Sequence, residues 1–138
     1  MNPSNRETIN AFSLEHYKTV QEIANAGDSD MLKKFLQQGF LVDFPLDQSG
    51  WTLLHLSCQS SDFKLLEVIL SFAPYVDAQE TAEGWTPLMI CAINNLDKFG
   101  NMLISNKADT KLVDKSGKNA KELAEKYRSR QFLENCKL

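Results

Sequence analysis

Apolar positions recur at helical spacing in short pulses along this chain, and the pulses come in pairs. Val20, Ile23 and Ala24 predict one helix; Met31, Leu32, Phe35 and Leu36 predict a second, closed at Gly39. Thr52 is placed to cap a helix from Leu53 to about Gln59, its hydroxyl accepting an orphan backbone N–H. Ser61-Asp62 turns the chain, and Phe63, Leu66, Val68, Ile69 and Leu70 line the next helix. Ala73-Pro74 ends that helix, because proline cannot continue the hydrogen-bond ladder. Thr86 caps a further helix with Pro87 at its first position, where a missing N–H costs nothing. Phe99, Met102, Leu103 and Ile104 form the matching stripe. Gly100 inside it costs about 1 kcal/mol relative to Ala and predicts local softness or close helix packing. Ala120, Leu123 and Ala124, then Phe132 and Leu133, give a last, truncated pair.

The pairs repeat. Gly50-Trp51-Thr52-Leu53-Leu54-His55-Leu56 and Gly84-Trp85-Thr86-Pro87-Leu88-Met89-Ile90 are near-copies 34 residues apart. Gly39, Ala73 and Lys107 fall in one column, Asp43, Asp77 and Lys111 in another, and Gly117 follows Gly84 by 33. Such a period indicates stacked units, each with an apolar face that only its neighbours can bury. The end units then need polar outer faces, which Lys118, Lys121, Glu122, Glu125 and Lys126 supply at one end. An array of this kind exposes an extended surface rather than a deep pocket, which weighs against catalysis. Before Ser13 only Ile9 and Phe12 are large and apolar. Residues 1–12 therefore read as a flexible arm or short covering helix. Residues 13–138 read as a single domain with units near 13–48, 49–82, 83–115 and 116–138.

Charge changes the picture at one end. Residues 1–110 carry 7 Lys/Arg against 14 Asp/Glu, and residues 111–138 carry 8 against 4. The basic end reads as a solvated cap or as a docking patch for an acidic protein surface. Nucleic acid is disfavoured, since no basic stripe with interleaved aromatics appears. Cys58, Cys91 and Cys136 are too few and too irregular for a disulfide framework or a zinc site, so no metal or cofactor is expected. The start of the chain lacks the apolar core of a signal peptide, and no apolar run is long enough to cross a membrane. The expectation is a monomer in the cytoplasm or nucleus.

The repeated motif resembles the ankyrin-repeat family, whose units read Gly-x-Thr-Pro-Leu-His, then a leucine-rich helix, then Gly-Ala-Asp. Here the second unit offers Gly50 to His55, Leu65-Leu66-Glu67-Val68-Ile69-Leu70 and Val76-Asp77. The third offers Gly84 to Leu88, Met102-Leu103-Ile104 and Lys107-Ala108-Asp109. Leu53 stands for the usual Pro, Met89 for the His, and Ala73 and Lys107 for the helix-ending Gly. Asp43 to Gly50 and Asp77 to Gly84 are one residue longer than the family norm, so the first two fingers should be extended or bulged. The resemblance implies an all-α solenoid of about four helix-turn-helix units with β-turn fingers. It implies non-catalytic protein binding without a small-molecule substrate, as an adaptor or inhibitor. An assembly chaperone for a subunit of a larger complex is the alternative; a small enzyme or ligand binder using His55 or Cys136 is a remote one.

The resemblance also places candidate contact residues. Trp51 and Trp85 stand at the base of successive fingers on the concave side, to contact a partner or to pack against the neighbouring finger. Leu56 and Ile90, with Gln59, Ile93 and Asn94 one turn on, stand where partner-contacting side chains sit, to form an apolar patch or to fill gaps between units. Finger residues Phe44, Pro45, Leu46 and Gln48, then Gln79, Glu80 and Glu83, complete the set, since loops on a rigid scaffold tend to carry function. His55 matches the family's structural histidine and should bond across the turn to the adjacent unit. Cys58 and Cys91 should be inert core thiols and Cys136 an exposed one.

Overall fold

The structure is a computed structural model and describes residues 14–138; the expected arm at 1–12 lies outside them. The described residues form eight helices and no strand. In chain order these are α1 (Leu14–Asn25), α2 (Ser29–Gln37), α3 (Leu53–Ser60), α4 (Phe63–Leu70), α5 (Pro87–Ile93), α6 (Asp97–Ser105), α7 (Ala120–Lys126) and α8 (Arg130–Asn135). Each odd-numbered helix pairs with the helix that follows it. The pairs stack, α1 on α3, α3 on α5 and α5 on α7, with α2 on α4 and α6 on α8 beside them. The result is the all-helical solenoid that the repeat period predicts.

Local chemistry fixes where five of these helices start. Thr52, Thr86 and Asn119 cap α3, α5 and α7, each accepting from the backbone N–H three residues on. The side chains of His55, Met89 and Glu122 reach back to the capping residue's own N–H, closing three capping boxes. Asp28 and Asp62 cap α2 and α4 in the simpler way. The helices stop where the backbone enters the left-handed region, in two columns. One holds Gly27, Ser61, Asn95 and Arg128; the other holds Gly39, Ala73 and Lys107. Only the first unit meets that requirement with glycine in both columns. Ser61, Ala73, Lys107 and Arg128 take up the strained conformation with a Cβ, a cost of roughly 1–2 kcal/mol each that packing must offset. The helix at Phe63 ends at Leu70, before the Ala73-Pro74 pair that predicted its end.

The core runs continuously between the two helix rows. Leu65, Leu66 and Ile69 of α4 are fully buried, as are Leu103 of α6 and Phe132 of α8. The first helices go further. Leu53 to Cys58 in α3 and Pro87 to Ala92 in α5 are buried on every side. This corrects two expectations of an exposed apolar patch: Leu56 and Ile90 are 7% and 2% exposed. A short helix flanked by a unit on either side and by its own partner helix has no solvent face left, so these side chains fill the gaps between units. Met31 departs from its predicted stripe and is exposed.

The cysteine expectation holds at two positions and fails at the third. Cys58 and Cys91 are buried free thiols, and burial pushes the Cys91 pKa well up. Cys136 is buried too, its thiol donating to the Asp97 carbonyl at 3.3 Å, and burial pushes it up to about 11. It is covered because α8 docks tightly on α6. Gly100 explains the closeness: a Cβ there would lie 2.6 Å from Phe132 Cε2 and 3.0 Å from Cys136 Sγ. Of the two readings of Gly100, close packing is the one the structure adopts.

Candidate functional site

Three fingers project between the units, and a carboxylate builds each one. Asp47 Oδ1 accepts from the Ser49 N–H (2.8 Å), the Ser49 hydroxyl (2.6 Å) and the Trp51 N–H (3.3 Å). Asp114 repeats the arrangement with the Ser116 N–H, the Ser116 hydroxyl and the Lys118 N–H at 2.9, 2.6 and 3.0 Å. Glu80 does the same for the middle finger, gathering the N–H groups of Ala82, Glu83 and Trp85 at 2.7–2.9 Å. Burial alone raises each carboxyl, but the converging N–H and O–H donors favour the ionised form and hold Asp47, Glu80 and Asp114 below their ordinary values. Glu80, expected to face a partner, is 4% exposed and acts inward as the bracket of its own finger.

Finger length follows the spacing. Leu46 N–H to Trp51 C=O (2.7 Å) and Glu80 N–H to Trp85 C=O (3.1 Å) close the first two, and Asp114 N–H to Lys118 C=O (2.9 Å) closes the third. The first two are therefore one residue longer, as the chain spacing predicts. The fingers are also tied to each other. Thr81 N–H bonds the Ser49 carbonyl at 2.7 Å, and Lys115 N–H bonds the Glu83 carbonyl at 2.9 Å. Gln79 Nε2 spans from the Gly84 carbonyl to that of Val113, both at 2.9 Å, and Lys115 Nζ donates to the Thr81 carbonyl. Gly84 makes the approach of the third finger possible. Its φ is +76°, and a Cβ would sit 3.1 Å from the Lys115 nitrogen. Further back, Asp43 accepts from Tyr75 N–H and Asp77 from Asp109 N–H, one unit apart.

His55 links this row to the core. It is fully buried, and its Nδ1 accepts from the Thr52 N–H at 3.2 Å. A backbone N–H can only donate, so Nδ1 carries no proton, and Nε2–H donates to the Trp85 carbonyl at 2.9 Å. The expected bond across to the adjacent unit is present. Burial pushes the His55 pKa below the ordinary histidine value, against the opposing pull of its bond to Trp85 and of the Glu80 and Asp47 charges. The ring is therefore neutral, and it is committed to structure.

The tryptophans are half-buried and both make internal contacts. Trp51 stacks on the His55 ring, centroids 5.0 Å apart, and Trp85 Nε1 donates to Asp114 at 3.2 Å. Phe44 and Leu46 are half-buried against the core, with Pro45 exposed beside them. Leu41, Val42, Asp43, Phe44 and Pro45 line an open depression of about 400 Å³. Gln48, Gln79 and Glu83 stand exposed along the fingers. At the ends of α3 and α5, Asn94 donates to Gln59 at 3.3 Å, both exposed, with Ile93 half-buried beside them. The candidates thus divide by burial: Pro45, Gln48, Gln59, Gln79, Glu83 and Asn94 are exposed, Trp51, Trp85, Phe44, Leu46 and Ile93 are half-buried, and Leu56, Ile90 and Glu80 are buried.

The roles of Asp47 and Asp114 are not apparent from either residue alone. Their signal is the pair Asp47-Gln48-Ser49-Gly50 and Asp114-Lys115-Ser116-Gly117, the same Asp-x-Ser-Gly turn two units apart. Among the described residues no helix is long and apolar enough to cross a membrane.

Comparison with known proteins agrees with this architecture. Residues 20–125 match the family pattern of ankyrin repeats in three copies. The chain is also 33% identical over 75 residues to an ADP-ribosylation factor GTPase-activating protein, AGD2, of Arabidopsis thaliana. That stretch is 54% of this chain but 10% of the relative, so the chain spans about a tenth of that protein's length. Stacked helix pairs, capped at 33- to 34-residue intervals and matched by three consecutive copies of the family pattern, mean that the chain belongs to the ankyrin-repeat family.

Proposed function

We propose that residues 13–138 act as one non-catalytic binding domain, an adaptor or inhibitor that covers or bridges a partner protein's surface. Ankyrin repeats are in general protein–protein interaction modules, and that general role is the starting point. The observation that carries the finer reading is the finger row. Its backbone is held by its own carboxylates and by finger-to-finger bonds. Its tips present Pro45, Gln48, Gln79 and Glu83, and the adjoining helix ends present Gln59 and Asn94. A surface ordered before binding loses little conformational entropy when a partner arrives. The aromatic edges of Trp51, Trp85 and Phe44 supply rigid apolar area next to those polar tips.

The test leaves the packed tryptophans alone. Gln48→Lys with Glu83→Lys changes two exposed side chains. Parent and variant would be compared as baits in native lysate by quantitative mass spectrometry. A partner held by the parent should be lost or weakened at least about tenfold on the variant, with helical circular dichroism unchanged. An identical partner set on both baits would overturn the finger-row site.

A further inference from the structure

The hydrogen bonds between the third and fourth units define how one unit grips the next. Asn95 Oδ1 accepts the Phe132 N–H at 3.0 Å, and Asn95 Nδ2 donates to Gln131. Asp97 Oδ2 accepts from Asn135 Nδ2 at 2.7 Å, and its carbonyl accepts the Cys136 thiol. Asn101 Nδ2 donates to the Asn135 carbonyl at 3.1 Å. Gly100 leaves the space that Phe132 fills. Four positions on α6 and its approach thus hold the helix α8.

One period later those four columns hold Arg128, Arg130, Leu133 and Glu134. The same four residues line an open depression of about 370 Å³ on the fourth unit. No element among the described residues covers it: Arg128, Arg130 and Glu134 are exposed and Leu133 is half-exposed. The columns are continued, but at the first two the chemistry is inverted, while Glu134 in the Asn101 column keeps an acceptor. Where Asn95 and Asp97 offer acceptors, Arg128 and Arg130 offer only donors and positive charge. Where Gly100 admits a phenyl ring, Leu133 already occupies the space.

We propose that this depression is a docking site for a short acidic helix of a partner protein. The incoming helix sits as α8 sits on α6. It brings carboxylates to Arg128 and Arg130, which can bind them bidentately. It carries a small residue, Ala or Gly, over Leu133 where α8 carries Phe132. The surface is separate from the finger row, and residues 111–138, with 8 basic against 4 acidic residues, attract such a partner as a whole.

The experiment uses the full chain and two fluorescein-labelled synthetic helical peptides, one of Ala and Glu and one of Ala and Lys. Fluorescence anisotropy should report binding of the Glu peptide alone, weakening as salt rises. Amide shifts of the chain should move on α7 and α8 and not on the fingers. Arg130→Glu should weaken the Glu peptide at least about tenfold and let the Lys peptide bind instead. Leu133→Gln serves as a second variant, with the unfolding midpoint of each variant measured to show that it folds. No binding by the Glu peptide, equal binding by both peptides, or shifts confined to the fingers would overturn the proposal. So would sedimentation showing that a second copy of the chain occupies this face.

Discussion

The junction between the second and third units and the junction between the third and fourth perform one task with different chemistry. At the former, a single buried ring reaches across: His55 closes the cap of α3 and bonds the Trp85 carbonyl. At the latter, Met89 stands in the same column, and its sulfur accepts only weakly from Thr86 N–H at 3.5 Å. The bonds move outward there, to Asn95, Asn101, Asn135 and Asp97 around α6 and α8, and the apolar contact concentrates in Phe132 against Gly100. The repeat therefore conserves the need for a staple, not the atom that supplies it. It also separates two responses: one junction contains a titratable ring in its core, and the other rests on packing, side-chain amides and the half-buried Asp97 carboxylate.

Removing packing at the outer junction should have the largest effect. Phe132→Ala should cost about 3–5 kcal/mol, read from urea unfolding followed by circular dichroism, and should raise hydrogen exchange in α8 more than in α3. A change below about 1 kcal/mol would mean that the amide bonds alone hold the unit.

His55→Ala comes next, at about 2–4 kcal/mol, since it leaves the Thr52 N–H buried and unpaired, removes one of the two donors to the Trp85 carbonyl and opens a cavity where the ring stood. This variant also sharpens the comparison through pH. The folded-state pKa of His55 lies below the ordinary 6.5, so the unfolded chain binds the proton more readily. Its contribution is complete above about pH 6.5 and is lost as pH falls from there toward the folded-state value. The parent should lose stability over that range while His55→Ala changes little. Parallel slopes would remove His55 from the account. Asp47, Glu80 and Asp114, held below their ordinary values near 3.8 and 4.5, should add a second loss at lower pH in both proteins.

The smallest expected effect is a gain. Lys107 is exposed and sits at φ +68°, in the column where the first unit carries Gly39. Lys107→Gly relieves the left-handed strain but frees the unfolded chain, so a net stabilisation of about 0.5–1 kcal/mol is expected. A loss would show that its Cβ contributes more by packing than it costs in strain.

Much of this was legible in the sequence because it is local. Thr52, Thr86 and Pro87 mark helix starts through caps whose partners lie within one turn. The Gly-Trp-Thr echo carries the period. The long first fingers follow from counting. What escaped depends on neighbours. Leu56 and Ile90 read as a candidate face in one dimension, yet a seven- or eight-residue helix between two others has none. Cys136 looked exposed among Lys137 and Arg130 until Gly100 let α8 close over it. Glu80 differs from Asp47 and Asp114 by one methylene in a finger one residue longer than the third, and only the folded turn shows that it does their work. At the left-handed positions Ala73 and Lys107 give no local signal, since the residue that would announce the turn is absent.

The Asp-x-Ser-Gly turn has an evolutionary consequence. Every hydrogen bond that shapes the tips at residues 47–50 and 114–117 comes from the first and third residues and the backbone. In the third finger the second residue, Lys115, also ties its side chain to the Thr81 carbonyl, but in the first tip the second residue, Gln48, is a free letter. Mutation can rewrite it without disturbing the turn that displays it. A binding surface composed of such letters can drift toward a new partner in single steps, each tested against binding alone, while the fold stays out of selection's reach.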